Sequence, residues 1–118
     1  ASVDSMRAAL KVVNRYENRK VAVLGDMFEM GSFAEEGHRE VGKCASEYAD
    51  ILIAVGDDAK FMVDEAIKNN MDKENTYYFK TKEEAIENFE NILQKGDAIL
   101  VKASRGMHLE EVVEFLSK

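Results

Sequence analysis

The sequence predicts an α/β domain of Rossmann-like, three-layer αβα type, with helices on both faces of a mainly parallel sheet. Two observations support this class. Short, unbroken apolar runs, such as residues 21–24 and Ile51–Val55, end at glycine, as strands buried on both faces of a parallel sheet do. Stretches with apolar residues at helical spacing alternate with these runs, and strand–helix alternation implies right-handed crossovers between parallel strands.

The first part of the sequence predicts two strands and three helices. Ser2 is a typical N-cap residue, and the apolar stripe after it predicts a helix to about residue 17. The first strand is predicted over residues 20–24. Ser32 and Glu35 have the spacing of a capping box and predict a helix over residues 33–49. The second strand follows at residues 51–55, and either Asp57 or Asp58 can cap the third helix.

The second half predicts two further strands. Thr76–Phe79 is short and less apolar, which suggests an edge strand, and Thr81 begins a second capping box. Residues 98–101 form the fourth strand, residues 102–106 its loop, and apolar residues from 109 to 116 mark a last helix. The predicted strand order is 3-2-1-4. The loops at residues 25–31 and 102–106 then flank one crevice, at the switch point where such folds bind ligands.

Composition limits the class of protein. A length of 118 residues fits one domain, and the net charge of −7 argues against a nucleic-acid or anionic-membrane surface. The single cysteine, Cys44, rules out an intramolecular disulfide and suits a reducing compartment. No signal peptide is visible, and the apolar runs are too short to span a bilayer. These features predict a cytoplasmic domain without membrane insertion.

Several ligand-binding motifs are missing from the sequence. It contains no G-x-x-x-x-G-K-[ST] phosphate loop, and no G-x-G-x-x-G follows a predicted strand. The two histidines and the cysteine do not have the spacing of a zinc site. The chain is therefore expected to hold no nucleotide or metal ion tightly by itself.

The loop after the fourth strand carries the strongest candidate residues, Lys102, Ser104 and Arg105. Arg105 has the geometry to bind a carboxylate with two hydrogen bonds, and Ser104 can donate a third. The N–H groups of the helix predicted near Met107 would add weak positive potential. Alternatively, Ser104 only caps that helix and Arg105 is solvated.

The loop after the first strand offers carboxylates. Asp26 and Glu29 could bind a cation or a hydroxyl group, although an aspartate after glycine is equally typical of a turn. His38 lies beside the apolar stripe of the second helix. A lone histidine in such a place is more often a packed structural residue than a base.

Three ordered motifs resemble the C-terminal domain of the Mur ligases. They are residues 23–31 (VLGDMFEMG), then His38, then residues 101–107 (VKASRGM), and the opening residues 1–10 are similar to N-A-N-P-D-S-M-x-A-A-L. The closest similarity is to members that join D-Ala-D-Ala to UDP-N-acetylmuramoyl-tripeptide. The sequence departs from the family pattern at Val3, which replaces proline, at Met30, which replaces leucine, and at Ala103, which replaces glycine.

This resemblance implies that residues 1–118 are one domain of a larger, three-domain enzyme of peptidoglycan precursor synthesis. In the family, an N-terminal domain binds the UDP-sugar, and a central domain binds ATP and Mg²⁺. The C-terminal domain closes over them and brings in the amino component. The enzyme phosphorylates a peptide carboxylate, and the dipeptide amine then attacks the acyl phosphate. The isolated chain is expected to fold but to be inactive.

The resemblance also implies roles for individual residues. Ser104 and Arg105 match the segment that contacts the incoming amino acid, and Lys102 and Asp57 are further candidates for substrate binding. Three residues are expected to line the cleft, on the ATP or the substrate side: Asp26, Glu29 and His38. No catalytic residue or metal ligand is assigned to this domain.

Two other classes remain open from the sequence. One is a stand-alone Rossmann-like module that binds a small anion or nucleotide without catalysis. The other is a flavodoxin-like receiver with Asp26 and Asp57 as its acidic pocket, which the Lys80-Thr81 loop and residues 102–103 do not continue convincingly. A phosphate-loop domain encoded upstream of this chain would favour the ligase over the stand-alone module.

Overall fold

The computed structural model of the protein describes residues 2–28 and 30–102. Glu29, Ser104, Arg105 and the predicted last helix lie outside the described residues. The described elements are α1 (Val3–Val13), β1 (Lys20–Gly25), α2 (Ala34–Tyr48), β2 (Ile51–Val55), α3 (Lys60–Lys68), β3 (Thr76–Phe79), α4 (Lys82–Ile92) and β4 (Ala98–Lys102). Short 3-10 turns at Gly31–Phe33 and Lys73–Asn75 precede α2 and β3.

The four strands form one parallel sheet in the order β3-β2-β1-β4, which confirms the predicted order. β1 lies in the centre, and Leu24 pairs with Ala54 of β2 on one side and with Lys102 of β4 on the other. The chain reverses its direction across the sheet between β1 and β4. The carboxyl ends of these two strands therefore border the predicted switch point.

Each face of the sheet has its own apolar core. α1, α2 and α3 pack against Ala22, Leu24, Leu52 and Ala54, whereas α4 packs against the alternate residues of the same strands. The described part therefore has helices on both faces, and the three-layer prediction is confirmed. No helix among the described residues combines the length and the apolar content that crossing a bilayer would require.

Two of the predicted helix starts are confirmed. The hydroxyl of Ser2 accepts from the Ser5 N–H at 3.2 Å, and that of Thr81 accepts from the Glu84 N–H at 3.2 Å. At its other end α1 stops earlier than predicted, at Val13, because two tight turns follow it.

The predicted capping box of α2 is wrong. Ser32 lies inside the 3-10 turn, and Phe33 occupies the N-cap without a side-chain hydrogen bond. The reason lies in the backbone, since Gly31 has a φ of +56° and starts a turn whose own carbonyls accept from Phe33 and Ala34. Ser32 therefore lies within helical backbone and does not occupy a cap position.

An ion pair fastens the opposite, amino-terminal edge of the sheet. Arg19 binds Asp97 through two hydrogen bonds, Nε to Oδ1 at 3.0 Å and Nη2 to Oδ2 at 2.8 Å, and it also donates to the carbonyl of Ile92. Burial acts to raise the pKa of Asp97, but the Arg19 hydrogen bond and charge and the Gln94 N–H outweigh it. The pKa therefore lies below the ordinary value of 3.8.

We expect Asp97→Asn to lower the free energy of unfolding by about 1.5–2 kcal/mol at pH 7, because a charge-assisted hydrogen bond is lost. A group with a depressed pKa in the folded state adds stability above its unfolded pKa and loses it as the pH falls through its folded pKa. The difference between wild type and variant should therefore shrink below about pH 3.8. Urea unfolding at several pH values measures it, with the exposed Asp72→Asn as control; a difference that persists at the lowest pH contradicts the assignment.

Candidate functional site

The carboxyl ends of three adjacent strands bring together three of the predicted site residues. Asp26 follows β1, Asp57 follows β2 one residue after Gly56, and Lys102 is the last residue of β4. Because β1 pairs with both β2 and β4, its loop lies between the other two strand ends. Asp57 is exposed and Lys102 is half-buried, so both are accessible at this edge.

Both carboxylate oxygens of Asp26 accept hydrogen bonds from the backbone of the loop after β2. Its Oδ2 accepts from the Asp57 N–H at 3.0 Å, its Oδ1 accepts from the Ala59 N–H at 2.8 Å, and the residue is only 5% exposed. These N–H groups precede α3, whose N-cap residue Ala59 offers no side-chain acceptor. Asp26 therefore caps α3 from the neighbouring strand, and the prediction that Asp57 or Asp58 caps it is wrong.

Gly56 makes this arrangement possible. Its φ is +128°, and a Cβ at this position would lie 2.4 Å from the carboxylate carbon of Asp26. Burial raises the pKa of Asp26, while the N–H groups of Asp58, Ala59 and Asp57 oppose that rise. Backbone donors thus compensate part of the free energy that is needed to bury this carboxylate.

His38 is fully buried and fastens the loop after β1 to α2. Its Nδ1 lies 2.6 Å from the carbonyl of Ala34, and its Nε2 accepts from the Met27 N–H at 2.9 Å. Since the Met27 N–H can only donate, Nε2 must be unprotonated, and the proton lies on Nδ1. Both ring nitrogens are therefore occupied, which fits the packed structural residue rather than a free base.

Asp26 and His38 also lie next to each other, with 4.0 Å between Oδ1 and Nε2. Together they fix the backbone on both sides of the bond between Asp26 and Met27. Both side chains are buried, and their polar atoms are hydrogen-bonded to backbone groups. The structure therefore places them beneath the loop that borders the predicted crevice, where they determine its shape.

Tyr78 is a neighbour of this edge that the sequence did not identify. Burial is the largest cause that raises its pKa, followed by the negative charges of Asp57, Asp26, Glu84 and Asp58. The side chain is 39% exposed. The period-2 alternation of β3 was the available signal, because it directs Tyr78 to the sheet face opposite Tyr77 and Phe79.

A concave surface also lies on the outside of α2 and α3. It has a volume of about 630 Å³ and is lined mainly by charged side chains. Its central guanidinium, Arg39, is paired with Glu35 at 2.9 Å and Glu65 at 3.4 Å and lies over the Phe61 ring. Among the described residues, no group of three or more His, Cys, Asp or Glu side chains is placed to hold a metal ion.

Comparison with known families agrees with this architecture. The family model described as "Mur ligase, glutamate ligase domain" matches residues 1–105. The chain belongs to this Mur ligase domain family. The match includes the β1 loop and β4, the two segments that border the switch point.

Curated relatives of this Mur ligase domain include two UDP-N-acetylmuramoyl-tripeptide–D-alanyl-D-alanine ligases. That of Bacillus subtilis strain 168 is 36% identical over 119 residues, which cover 98% of this chain and 26% of the enzyme. That of Buchnera aphidicola is 34% identical over 121 residues, covering 100% of this chain and 25% of the enzyme. The chain thus spans about a quarter of the length of these relatives.

Solved structures show the same fold. A crystal structure of MurF from Acinetobacter baumannii is 29% identical and has a TM-score of 0.86, covering 100% of this chain and 26% of the MurF chain. MurF from Thermotoga maritima, solved in complex with ADP, is 24% identical with a TM-score of 0.76 and covers 98% of this chain and 25% of its own. The second likeness concerns the fold alone.

Proposed function

We propose that this chain is the C-terminal domain of an ATP-dependent ligase that joins D-Ala-D-Ala to UDP-N-acetylmuramoyl-tripeptide. The observation that carries the proposal is the 36% identity to a ligase of that specificity across 98% of this chain. The exposed polar residues at the carboxyl edge of the sheet support it, because ligands of open α/β domains bind there.

In the full-length ligase, different parts of the protein would bind different substrates. The sequence has no phosphate loop, and the described residues offer no group of metal ligands, so this domain alone does not fit ATP or Mg²⁺. We assign both to the part of the ligase outside this chain. The single cysteine suits a reducing compartment, and we place the enzyme in the cytoplasm.

The proposed reaction has two steps. The terminal phosphoryl group of ATP is transferred to the carboxylate of the tripeptide, which gives an acyl phosphate and ADP. The amine of D-Ala-D-Ala then attacks the acyl carbon, an amide bond forms, and phosphate leaves with the electrons of the broken C–O bond. Contact between domains would position the amine and exclude water, which would otherwise hydrolyse the acyl phosphate.

We assign the dipeptide to the switch point between β1 and β4. Lys102 ends β4 and leads directly into Ser104 and Arg105, whose side chains suit the carboxylate of the dipeptide. The exposed carboxylate of Asp57 lies beyond the β1 loop and suits the amino end. Asp26 and His38 would act through the loop that carries Glu29, by holding its backbone.

Arg105→Ala in the full-length ligase tests this assignment. We expect kcat/KM for D-Ala-D-Ala to fall about 10- to 100-fold, since a charge-assisted hydrogen bond contributes roughly 1.5–3 kcal/mol. Arg105→Lys should recover little, because an ammonium group cannot reproduce the guanidinium fork. Steady-state kinetics with each substrate varied in turn measures the effect.

The matched control is Arg39→Ala. This arginine is already paired with Glu35 and Glu65 on the surface of α2, and its loss should leave kcat/KM for the dipeptide nearly unchanged. A selective loss for ATP in Arg105→Ala, or no loss, would remove Arg105 from the dipeptide site. Absence of ligase activity in the wild-type protein would refute the proposed function itself.

A further inference from the structure

Two phenylalanines are exposed beside the candidate site. Phe28 is 46% exposed, and Phe33 is 65% exposed. Isolated exposed apolar residues are ordinary on protein surfaces. These two, however, lie within six residues of each other, in the segment that joins the central strand β1 to α2.

Hydrogen bonds fix the backbone around these two phenylalanines. Met27 is buried, and its N–H donates to His38 at 2.9 Å. Asp26 is anchored to the loop after β2, and the Phe33 N–H donates to the Met30 carbonyl at 3.0 Å. The outward position of the Phe33 ring is thus set by a hydrogen-bonded turn.

Packing within this domain does not account for a phenylalanine at position 33. It ends the 3-10 turn that leads into α2, and its side chain makes no cap hydrogen bond. Its ring also remains largely in water. A large apolar side chain gains its stabilising effect only when it leaves water, and a contact outside this domain would supply that burial.

We infer that Phe33, together with Phe28, contacts an apolar surface on the part of the full-length ligase that lies outside this chain. This inference rests on the proposed function. The relatives are about four times as long as this chain, so about three-quarters of each relative lies outside the matching segment. The proposed dipeptide site lies at the carboxyl edge, so the part that holds ATP and the tripeptide would approach this edge, where both phenylalanines lie.

Hydroxyl-radical footprinting of the full-length protein tests the contact without relying on activity. Tyr16 is the internal reference, because it is 54% exposed and lies before β1, at the opposite edge of the sheet. With oxidation rates normalised to the urea-unfolded protein, and with ATP and UDP-N-acetylmuramoyl-tripeptide bound, Phe33 should be oxidised at least about three-fold more slowly than Tyr16. Equal normalised rates overturn the inference.

Substitution in the full-length protein gives a second readout. Phe33→Ser should lower kcat/KM for D-Ala-D-Ala about 10- to 100-fold, as expected when a large apolar side chain loses a buried contact. Phe33→Leu should recover most of the activity, and the control Tyr16→Ser should stay within about two-fold of wild type. The melting temperature of the 118-residue chain should be the same in all variants, because both side chains are exposed in this domain.

The alternatives give different results. A lowered melting temperature with normal activity per folded molecule would mean that Phe33 only stabilises this domain, and it would refute the contact. Dissociation of a homodimer by Phe33→Ser, seen by light scattering, would assign the surface to a second copy and also refute it. An inactive wild-type protein would contradict the proposed function, whereas the footprint of Phe33 would still decide the contact.

Discussion

Gly42→Ala is expected to lower the free energy of unfolding of the 118-residue chain by about 3 kcal/mol. Gly42 lies on the buried face of α2, where that helix crosses α3. A Cβ there would lie 2.2 Å from the carbonyl oxygen of Met62 and 2.7 Å from its Cα. The obstacle is the backbone of α3, so the two helices must move apart, and the higher helix propensity of alanine offsets only about 0.5–1 kcal/mol.

Gly37→Ala is the matched control, five residues earlier in α2. Its Cβ would meet the end of the Met30 side chain at 2.3 Å, and this flexible group can turn aside. We expect a change within about 1 kcal/mol. Urea denaturation of both variants measures the two values, and equal effects would show that close contact between α2 and α3 does not determine the result.

Asp26→Ala is expected to destabilise the chain by about 3 kcal/mol, because it removes the acceptor of the buried Ala59 N–H, at roughly 1–3 kcal/mol, and of the part-buried Asp57 N–H. The burial that raises the pKa of Asp26 moderates the loss, since the variant no longer buries a carboxylate. The helix that loses its cap is α3, which begins more than 30 residues after Asp26 in the sequence. Thermal and urea unfolding measure the loss.

Asp57→Ala separates structure from substrate binding at the same edge. Its carboxylate is exposed, so we expect a stability change within about 0.5 kcal/mol. In the full-length ligase the same change should reduce use of the dipeptide. A stable Asp26→Ala protein with reduced ligase activity would show that Asp26 binds substrate, against the geometry described above.

The strands were predictable because their patterns are local in sequence, and their order followed from general rules of topology. Apolar runs ended by glycine mark buried strands, and the handedness of crossovers leaves few orders for four of them. The cap of α3 was not predictable in this way, since its acceptor, Asp26, lies more than 30 positions before the N–H groups that it binds. The sequence prediction considered only neighbouring residues and therefore assigned that cap to Asp57 or Asp58.

The structure accounts for some of the predicted site residues and not for others. The preference for a packed His38 agrees with its burial, whereas its role at the cleft stays a prediction. Its hydrogen bond to Met27 depends on tertiary structure. Lys102 and Asp57 do reach the same edge as the β1 loop. The roles of Ser104, Arg105 and Glu29 stay predictions, since these residues lie outside the described ranges.

The capping of α3 by Asp26 also has a consequence for the order of folding. The acceptor for the first N–H groups of α3 arrives only when β1 has paired with β2, and that pairing closes a segment of about 30 residues. α3 has no side-chain cap of its own, and a nine-residue helix is marginal in isolation. The amide of Ala59 should therefore gain protection from hydrogen exchange together with the central strands, later than a helix such as α1, whose cap Ser2 is local.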